Sequence, residues 1–317
     1  MDIVFAGTPE VAVPALDALV DSGHTVRAVL TRPDAPVGRK RVLTPSPVKV
    51  RAEELGLPVI EAARLRGEVI AELRALDVDA VAVVAYGAIA GPAALATARL
   101  GWFNLHFSLL PAHRGAAPVQ RALIAGEETS GVSVFRIDEG MDTGDVVRAL
   151  PLPLGQPDAA SALSAYAAAG APELVAALDD LAAGTAHFTP QAELIAAGAR
   201  ASHAEKITAD DARLDLTRDV AEVVARSRGV SPAPGPWVEI DGKRTKLFGL
   251  APASAGDVTH PDPGLLTAAG GTVILGCRDG WVSVSEIQPF GKGRMPAADY
   301  LRGHGEARIT STPTKEA

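Results

Sequence analysis

Short apolar runs alternate with helical patterns through the first 110 residues, and this order of elements limits the fold more than any other feature. Strand-like composition occurs at Asp2–Ala6, Thr25–Leu30, Ala80–Ala85 and Trp102–His106. Helical spacing of apolar residues separates these runs, for example at Val11–Val20 and Arg66–Leu76. Strands that alternate with helices predict an α/β fold, with a mostly parallel sheet and helices on both faces. Ligands bind such sheets at the carboxyl ends of the strands.

The composition of the chain changes near Lys206. A helical pattern at Ala209–Arg228 is followed by several short strand-like runs, with hairpin-type turn signals at Asp241-Gly242 and Asp279-Gly280. A chain of 317 residues is long for one domain. We therefore predict a Rossmann-like α/β domain at 1–189, a linker at 190–205 and a small OB-like β-barrel at 206–317. One further helical pattern, Ala159–Leu181, contains Gly170-Ala171-Pro172, where we expect an interruption.

Composition predicts a soluble protein of the cytoplasm. The chain is 47% hydrophobic and 21% charged, and its longest strongly apolar stretch, Ala80–Ala90, is shorter than the ~20 residues that span a bilayer. The start MDIVFAGTP lacks the basic and apolar regions of a signal peptide, so we expect none. A single cysteine, Cys277, excludes an internal disulfide and is typical of a small buried apolar group. We expect no membrane association and a monomer.

One basic segment stands out on a chain of formal charge −8. It contains Arg39, Lys40 and Arg41 within a proline-rich loop at 33–47. Such a cluster could bind a polyanion, and a loop of this length is often functional. A solvated loop is the alternative, and charge alone favours it, because a pI of about 5.4 is not typical of a general nucleic-acid-binding protein.

Three polar residues at or after the ends of predicted strands form a pattern that is typical of a catalytic site. Asn104 and His106 are two apart at the end of a strand, so their side chains point to one face. Asp142 lies in a turn rich in Gly and Asp. An imidazole moves protons near neutral pH, and an amide stabilises a developing oxyanion. No nucleophile lies beside them in the sequence, which indicates a transfer reaction whose substrate brings its own nucleophile.

Each of these residues alone is more often structural. An Asn-x-His at a strand end usually serves the fold, and an Asp in such a turn usually caps the turn itself. The balance changes because Ser108-Leu109-Leu110-Pro111 follows His106 and DEGMDTGD surrounds Asp142. The combination Asn-x-His-x-Ser-Leu-Leu-Pro with a later Asp-x-Gly resembles the formyltransferases that use 10-formyltetrahydrofolate.

The resemblance covers the whole chain. FAGTP at 5–9, TRPDAPVGRKRVLTPSPVK at 31–49 and RGAAPVQ at 114–120 narrow it to the branch of the family that acts on tRNA. The resemblance implies an enzyme whose partners are 10-formyltetrahydrofolate, as co-substrate, and initiator methionyl-tRNA, as acceptor. It implies no metal, and the seven histidines show no ligand-like spacing with Cys277.

The resemblance also assigns roles to residues. Asn104, His106 and Asp142 match the catalytic trio, in which protonated His106 and Asn104 would stabilise the oxyanion and Asp142 would help to remove the amine proton. Position 107 is often small in relatives and is Phe here. The implied folate-binding residues are Ser108, Leu109, Leu110, Pro111, Tyr86, Gly87, Ile89, Ile137 and Asp138, and the implied tRNA-binding residues are Arg39, Lys40 and Arg41. From the sequence alone Tyr86 is equally consistent with packing at the edge of the core.

Three other functions fit the sequence less well. The same chemistry on an amino-sugar nucleotide would not need the basic loop. A non-catalytic RNA-binding module on a degenerate transferase fold would not need Asn104, His106 and Asp142. A dehydrogenase is the weakest alternative, because the dinucleotide-binding glycine pattern is missing.

Overall fold

The computed structural model describes residues 1–38, 40–155, 157–254 and 261–309. They form two compact units, each built from separate stretches of the chain. The first unit contains Met1–Gly115, Thr129–Pro153 and Leu163–Ala204. The second contains Ala116–Glu128, Leu154–Ala162 and the chain from Glu205 onward. The domain boundaries at 189 and 206 stay a prediction.

The strands and helices follow one another along the chain as the alternating pattern predicts. The strands are β1 (Asp2–Gly7), β2 (Thr25–Thr31), β3 (Ala35–Val37), β4 (Val42–Thr44), β5 (Val59–Glu61), β6 (Val78–Val84), β7 (Ala98–His106), β8 (Arg114–Gly115), β9 (Thr129–Arg136), β10 (Val146–Pro153), β11 (His203–Ala204), β12 (Trp237–Ile240), β13 (Lys243–Phe248), β14 (Ala251–Ala253), β15 (Leu265–Ala269), β16 (Thr272–Gly276), β17 (Trp281–Ser283), β18 (Glu286–Gln288), β19 (Met295–Pro296) and β20 (Ala307–Arg308). The helices are α1 (Val13–Val20), α2 (Pro47–Glu54), α3 (Glu68–Ala75), α4 (Pro92–Leu95), α5 (Pro118–Ile124), α6 (Ala159–Ala183), α7 (Gln191–Ala196), α8 (Val220–Gly229) and α9 (Ala297–His304), with a 3-10 turn at Glu10–Ala12.

The first unit is built on a seven-stranded sheet in the order β10-β9-β7-β6-β1-β2-β5. The five strands from β7 to β5 are parallel, whereas β9 and β10 run antiparallel at one edge. The sheet is therefore mostly parallel and Rossmann-like, which confirms the predicted fold class. Because β1, β6 and β7 are parallel neighbours, their carboxyl ends lie at one edge of the sheet.

Both faces of this sheet are covered, which explains why its strands are apolar throughout. Val4 and Ala6 of β1 belong to one buried cluster that also contains Ile70 and Leu73 of α3. Successive side chains of a strand point to opposite faces, so the fully buried Phe5 packs on the other side. A polar side chain within such a strand needs a hydrogen-bond partner, as the buried Ser133 of β9 has in the Ser108 carbonyl.

Helix α6 runs without a break from Ala159 to Ala183, so the predicted interruption near Gly170 is wrong. Gly170 lets the helix approach the sheet closely, since a Cβ there would lie 2.9 Å from a Leu105 methyl carbon and 3.3 Å from Val132. Burial against the sheet outweighs the local cost of Pro172 inside the helix. By length and apolar composition α6 could also span a membrane, but a helix packed in a core passes the same test.

The second unit is rich in antiparallel strands. One sheet has the order β12-β13-β18-β19 and another the order β14-β17-β16-β15-β20. Between them lies a core that includes Leu247, Leu266 and Leu275. The antiparallel pairs agree with the predicted small barrel. The predicted helix at 209–228 begins only at Val220, because turns occupy most of the preceding stretch.

Two local predictions for the second unit are confirmed. Asp241 and Gly242 join β12 to β13, and both have the positive φ angles, 49° and 71°, that a tight hairpin turn requires. Cys277 is fully buried, and burial raises the pKa of its thiol to about 12. The thiol therefore stays protonated and acts as an apolar packing group.

The close approach of α6 to the sheet yields a test of the fold. We expect Gly170→Val to lower the free energy of unfolding by roughly 1–3 kcal/mol, because its branched side chain must displace Leu105 in a filled core. Gly23→Val is the control, since no atom lies within 4 Å of a Cβ at that position. Denaturant unfolding measures both, and equal stabilities of the two variants would contradict the described packing.

Candidate active site

The carboxyl end of β7 positions the first two polar residues. Asn104 and His106 alternate with the buried Leu105, so their side chains share the face of the sheet that Trp102 also occupies. Asn104 is half-buried and pairs in register with Val83 of β6. Its side-chain amide forms no hydrogen bond with another residue in the described ranges. A half-buried amide without an internal partner is available to a bound substrate.

The imidazole of His106 is held in one tautomer by the backbone. Its Nε2 lies 2.9 Å from the carbonyl oxygen of His113, which can only accept a hydrogen bond. Nε2 therefore carries the proton of the neutral ring, and Nδ1 presents its lone pair. Nδ1 lies 3.7 Å from Oδ2 of Asp142. The ring edge of Phe135 packs near the imidazole, with centroids 6.3 Å apart.

Burial favours the neutral form of His106. The residue is only 5% exposed, and this burial lowers the pKa of its imidazole, while the nearby Asp142 carboxylate opposes the shift. Burial therefore favours the neutral ring, and the Asp142 carboxylate favours the protonated one. The protonated His106 that the sequence led us to expect stays a prediction.

Asp142 projects from the turn between β9 and β10. Its backbone has a φ of 55°, an uncommon value for a residue other than Gly. Its Oδ2 accepts a hydrogen bond of 2.7 Å from the backbone N–H of Gly115. Oδ1 has no hydrogen-bond partner among the residues that the structure describes. One carboxylate oxygen is thus anchored beside His106, and the other is left for a ligand.

The loop after His106 is held together by its own hydrogen bonds. The Ser108 hydroxyl donates to the carbonyl oxygen of Ala112 at 2.6 Å, and Ser108 is fully buried. The Ser133 hydroxyl donates to the Ser108 carbonyl and accepts from the Leu110 N–H. Leu110 packs in a buried cluster with Phe135. The side chains of Ser108 and Leu110 therefore shape the loop, and folate binding by Ser108, Leu109, Leu110 and Pro111 stays a prediction.

Phe107 and Leu109 are apolar residues that fix the loop after His106. Phe107 is only 6% exposed, so its ring is packed inside the protein. Leu109 is half-buried, and its side chain fills the space above Gly131, where a Cβ would lie 2.7 Å from a Leu109 methyl carbon. The apolar residues of this loop thus anchor it to the sheet.

The segment that follows β6 is fixed by contacts to its backbone. Tyr86 is buried, donates its hydroxyl hydrogen to the carbonyl of Ala62, and has a pKa raised to about 12 by burial. The Thr8 hydroxyl donates to the Tyr86 carbonyl at 2.8 Å, and Arg32 donates to the Gly87 carbonyl at 2.6 Å. The Tyr86 side chain is therefore a packing group, as the sequence allowed. A pterin contact here would come from the backbone.

The remaining predicted folate residues, Ile89, Ile137 and Asp138, differ in burial and in their contacts. Ile89 is 87% exposed, whereas Ile137 is half-buried and packs on the cluster that contains Tyr86. Asp138 is exposed, and its Oδ1 accepts hydrogen bonds from the Gly140 N–H and the Thr143 hydroxyl. Asp138 thus stabilises the turn that carries Asp142. Its contact with folate stays a prediction.

The basic loop forms a small exposed hairpin of β3 and β4. Lys40 and Arg41 lie in its turn and are exposed, and Arg41 has a φ of 50°. Arg39 lies outside the described residues. In the part of the chain that the structure describes, no hydrogen bond joins Lys40 or Arg41 to the catalytic trio. Within the same ranges, no group of three or more His, Cys, Asp or Glu side chains could hold a metal ion.

Sequence reasoning missed three residues that contact the trio or its loops. Gly115 supplies an N–H to Asp142, Ser133 holds the loop after His106, and Gln191 binds the backbone of Asp142. Gly115 lies in the RGAAPVQ motif, which was a usable signal. Gln191 lies in the predicted linker, where the loss of periodicity concealed it.

Comparisons with known proteins identify the family of the chain. Residues 1–176 match the formyl transferase family, and residues 206–305 match the formyl transferase C-terminal domain. The methionyl-tRNA formyltransferase of Paenarthrobacter aurescens is 47% identical over 96% of this chain and 97% of its own length. The methionyl-tRNA formyltransferase of Leifsonia xyli subsp. xyli is 48% identical over 98% of this chain and all of its own.

A solved structure supports the same fold. A variant of HypX from Aquifex aeolicus superimposes with a TM-score of 0.64 at 21% identity, over 99% of this chain and 49% of that chain. This chain thus spans about half the length of HypX. The two family matches together cover most of the sequence, and the relatives are aligned over nearly their full length. The chain belongs to the formyl transferase family, among the methionyl-tRNA formyltransferases.

Proposed function

We propose that the protein transfers the formyl group of 10-formyltetrahydrofolate to the free α-amine of methionine on initiator tRNA. The observation that carries this proposal is the unpartnered amide of Asn104 beside the His106–Asp142 pair, at the strand end where such sheets bind ligands. We infer the acceptor from the methionyl-tRNA formyltransferases that match this chain over nearly its full length. Such an enzyme works where initiator tRNA is charged, which is the cytoplasm.

The reaction forms one carbon–nitrogen bond and breaks another. The methionine amine attacks the formyl carbon, and N10 of the folate leaves with its electron pair. Negative charge develops on the formyl oxygen in the transition state. Asn104 donates a hydrogen bond to that oxygen through its Nδ2–H, because its amide has no hydrogen-bond partner among the described residues.

The His106–Asp142 pair moves the proton. Oδ1 of Asp142, which has no internal partner in the described ranges, accepts the proton that the attacking amine releases. The proton converts Asp142 into a neutral carboxylic acid beside the neutral His106, whose Nδ1 lies 3.7 Å from Oδ2. The pair then returns the proton to N10, so that the reaction leaves the protein unchanged. A His106 already protonated would make the carboxylate a weaker base.

Asn104→Ala tests the amide donor. We expect kcat to fall by about 10²–10³-fold, since one oxyanion donor is removed, while the KM for folate changes little. Steady-state formyl transfer to methionyl-tRNA measures both constants. Glu193→Ala, an exposed residue of α7, is the control and should keep normal activity. A normal kcat for Asn104→Ala would contradict the role of the amide.

Asp142→Asn tests the proton-transfer pair. We expect a loss of about 10²–10⁴-fold in kcat, the range of general acid–base catalysis. The carboxylate raises the pKa of His106, so its removal lowers that pKa further. Because activity needs neutral His106, the residual activity should persist to lower pH than in the wild type.

A pH profile of kcat/KM checks this shift. Asp145→Asn is a matched control, because Asp145 lies in the same turn and pairs with the exposed Arg136. Its profile should match that of the wild type. A near-normal rate for Asp142→Asn at saturating folate would refute the assigned role.

Substitutions in the exposed β3–β4 hairpin test whether the acceptor is a tRNA. The double variant Lys40→Gln with Arg41→Gln should bind tRNA more weakly. The plot of log K against log salt should become less steep, by about 0.7–0.9 for each phosphate that is no longer neutralised. Arg27→Gln with Arg99→Gln, which removes the same charge from exposed positions of β2 and β7, should leave the slope unchanged. Titrations of methionyl-tRNA at several salt concentrations measure it. Equal slopes for the two double variants would contradict a role of the hairpin in tRNA binding.

A formyl-transfer assay tests the function as a whole. The purified protein is given 10-formyltetrahydrofolate with methionine-charged initiator tRNA, elongator tRNA or an amino-sugar nucleotide. We expect rapid transfer to the initiator tRNA and little to the others. Preference for the amino sugar, or no transfer to any acceptor, would refute the proposal.

A further inference from the structure

Gln191 joins the two segments that hold the catalytic pair. It is the first residue of α7 and is only 3% exposed. Its Nε2 donates to the carbonyl oxygens of Asp142 and Gly144, both at 2.8 Å. Its Oε1 accepts from Nε and Nη2 of Arg114, at 2.9 and 2.7 Å. Every hydrogen-bonding site of the amide is therefore used.

The chemistry of the partners fixes the orientation of this amide. The carbonyl oxygens of Asp142 and Gly144 can only accept hydrogen bonds, and the Arg114 guanidinium can only donate them. Rotating the amide by 180° would place oxygen against two oxygens and NH₂ against the guanidinium. Only Gln has both a double donor and an acceptor at this length, so neither Glu nor Leu can replace it.

Each side of Gln191 carries part of the catalytic geometry. Arg114 lies between His113, whose carbonyl oxygen accepts from Nε2 of His106, and Gly115, whose N–H donates to Oδ2 of Asp142. The other side is the turn that carries the Asp142 carboxylate itself. A displacement of either segment would change the distance of 3.7 Å between Nδ1 and Oδ2.

We propose that Gln191 is a positioning residue that clamps the Asp142 turn to the 113–115 segment and thereby sets the Asp142 carboxylate beside His106. The catalytic consequence rests on the proposed function, whereas the geometry does not. No hydrogen bond joins Gln191 to either side chain of the pair among the described residues, so it acts through the backbone of Asp142 and Gly144 and through Arg114.

The turn needs such a clamp because its own conformation is unfavourable. Asp142 has a φ of 55°, in the left-handed region that is uncommon for residues other than Gly. Gly144 is pressed against the carbonyl oxygen of Arg136, so closely that a Cβ would overlap with this oxygen. The two hydrogen bonds from Gln191 hold the backbone on either side of Thr143 in this arrangement.

The titratable groups around the pair are few enough for a clear test. Burial lowers the pKa of His106, whereas the Asp142 carboxylate and the hydrogen bond to the His113 carbonyl raise it. Arg114 is the charged group in contact with Gln191. If the Asp142 turn shifts, the main opposing charge moves away from His106, and its titration must follow.

Three variants separate positioning from a general structural role. Gln191→Leu removes all four hydrogen bonds. Gln191→Glu keeps the size and the contact with Arg114 but opposes the carbonyl oxygens of Asp142 and Gly144, and it serves as the second test if the first variant does not fold. Glu193→Ala, exposed in the same helix, is the matched control.

The first readout is the NMR titration of His106 in protein with labelled histidine, which needs no activity. We expect His106 in both Gln191 variants to titrate at lower pH than in the wild type, towards its value in Asp142→Asn. Glu193→Ala should titrate as the wild type does. An unchanged His106 titration in a folded Gln191 variant would overturn the proposal, whatever acceptor the enzyme uses.

The second readout is a double-mutant cycle on formyl transfer. We expect kcat to fall by about 10²-fold in each Gln191 variant, the effect of a misplacement near 1 Å, with little change in the KM for folate. Combined with Asp142→Asn, the Gln191 changes should add almost no further decrease, because they act through the same carboxylate. Fully additive decreases would overturn the proposal. No transfer by the wild type would refute the proposed function and leave the NMR result to decide the geometry.

Discussion

The contact between a buried imidazole and a carboxylate at 3.7 Å is the interaction on which the rest of the site depends. Backbone groups fix both partners. The His113 carbonyl selects the tautomer of His106, and the Gly115 N–H anchors one oxygen of Asp142. Both backbone groups belong to the segment 113–115, so the position of this segment relative to the Asp142 turn determines the geometry of the pair.

The sheet provides this geometry at a low cost to its own stability. Its parallel strands are covered on both faces, so a polar side chain costs least where a strand ends and a ligand can reach it. Asn104 and His106 occur at such an end. The antiparallel β9 pairs Ser133 with His106 and ends at Arg136, opposite Phe103. The turn that follows β9 places the Asp142 carboxylate 3.7 Å from His106. The core helix α6 covers the opposite face, and it can approach the sheet closely because Gly170 has no side chain.

Much of this fold was predictable from the sequence, and the exceptions have physical causes. The alternation of strands and helices indicated the mostly parallel sheet, and Asp241-Gly242 indicated a correct hairpin. The interruption at Gly170 and Pro172 was wrong, because packing against the sheet overrides local helix propensity. The helix predicted from 209 starts later, since spacing of apolar residues cannot distinguish turns packed on a core from a helix.

For the site, residue types were predictable and their environment was not. Asn104, His106 and Asp142 were found from the motif, but the charge state of His106 depends on burial that only the fold reveals. Gln191 lies 49 residues from Asp142 in a segment without periodicity, so no local pattern connects them. The ¹⁵N chemical shifts of His106 in the wild-type protein at pH 7 measure the central feature directly. A neutral ring with its proton on Nε2 is the expected result, and a doubly protonated ring, or one with its proton on Nδ1, would contradict it.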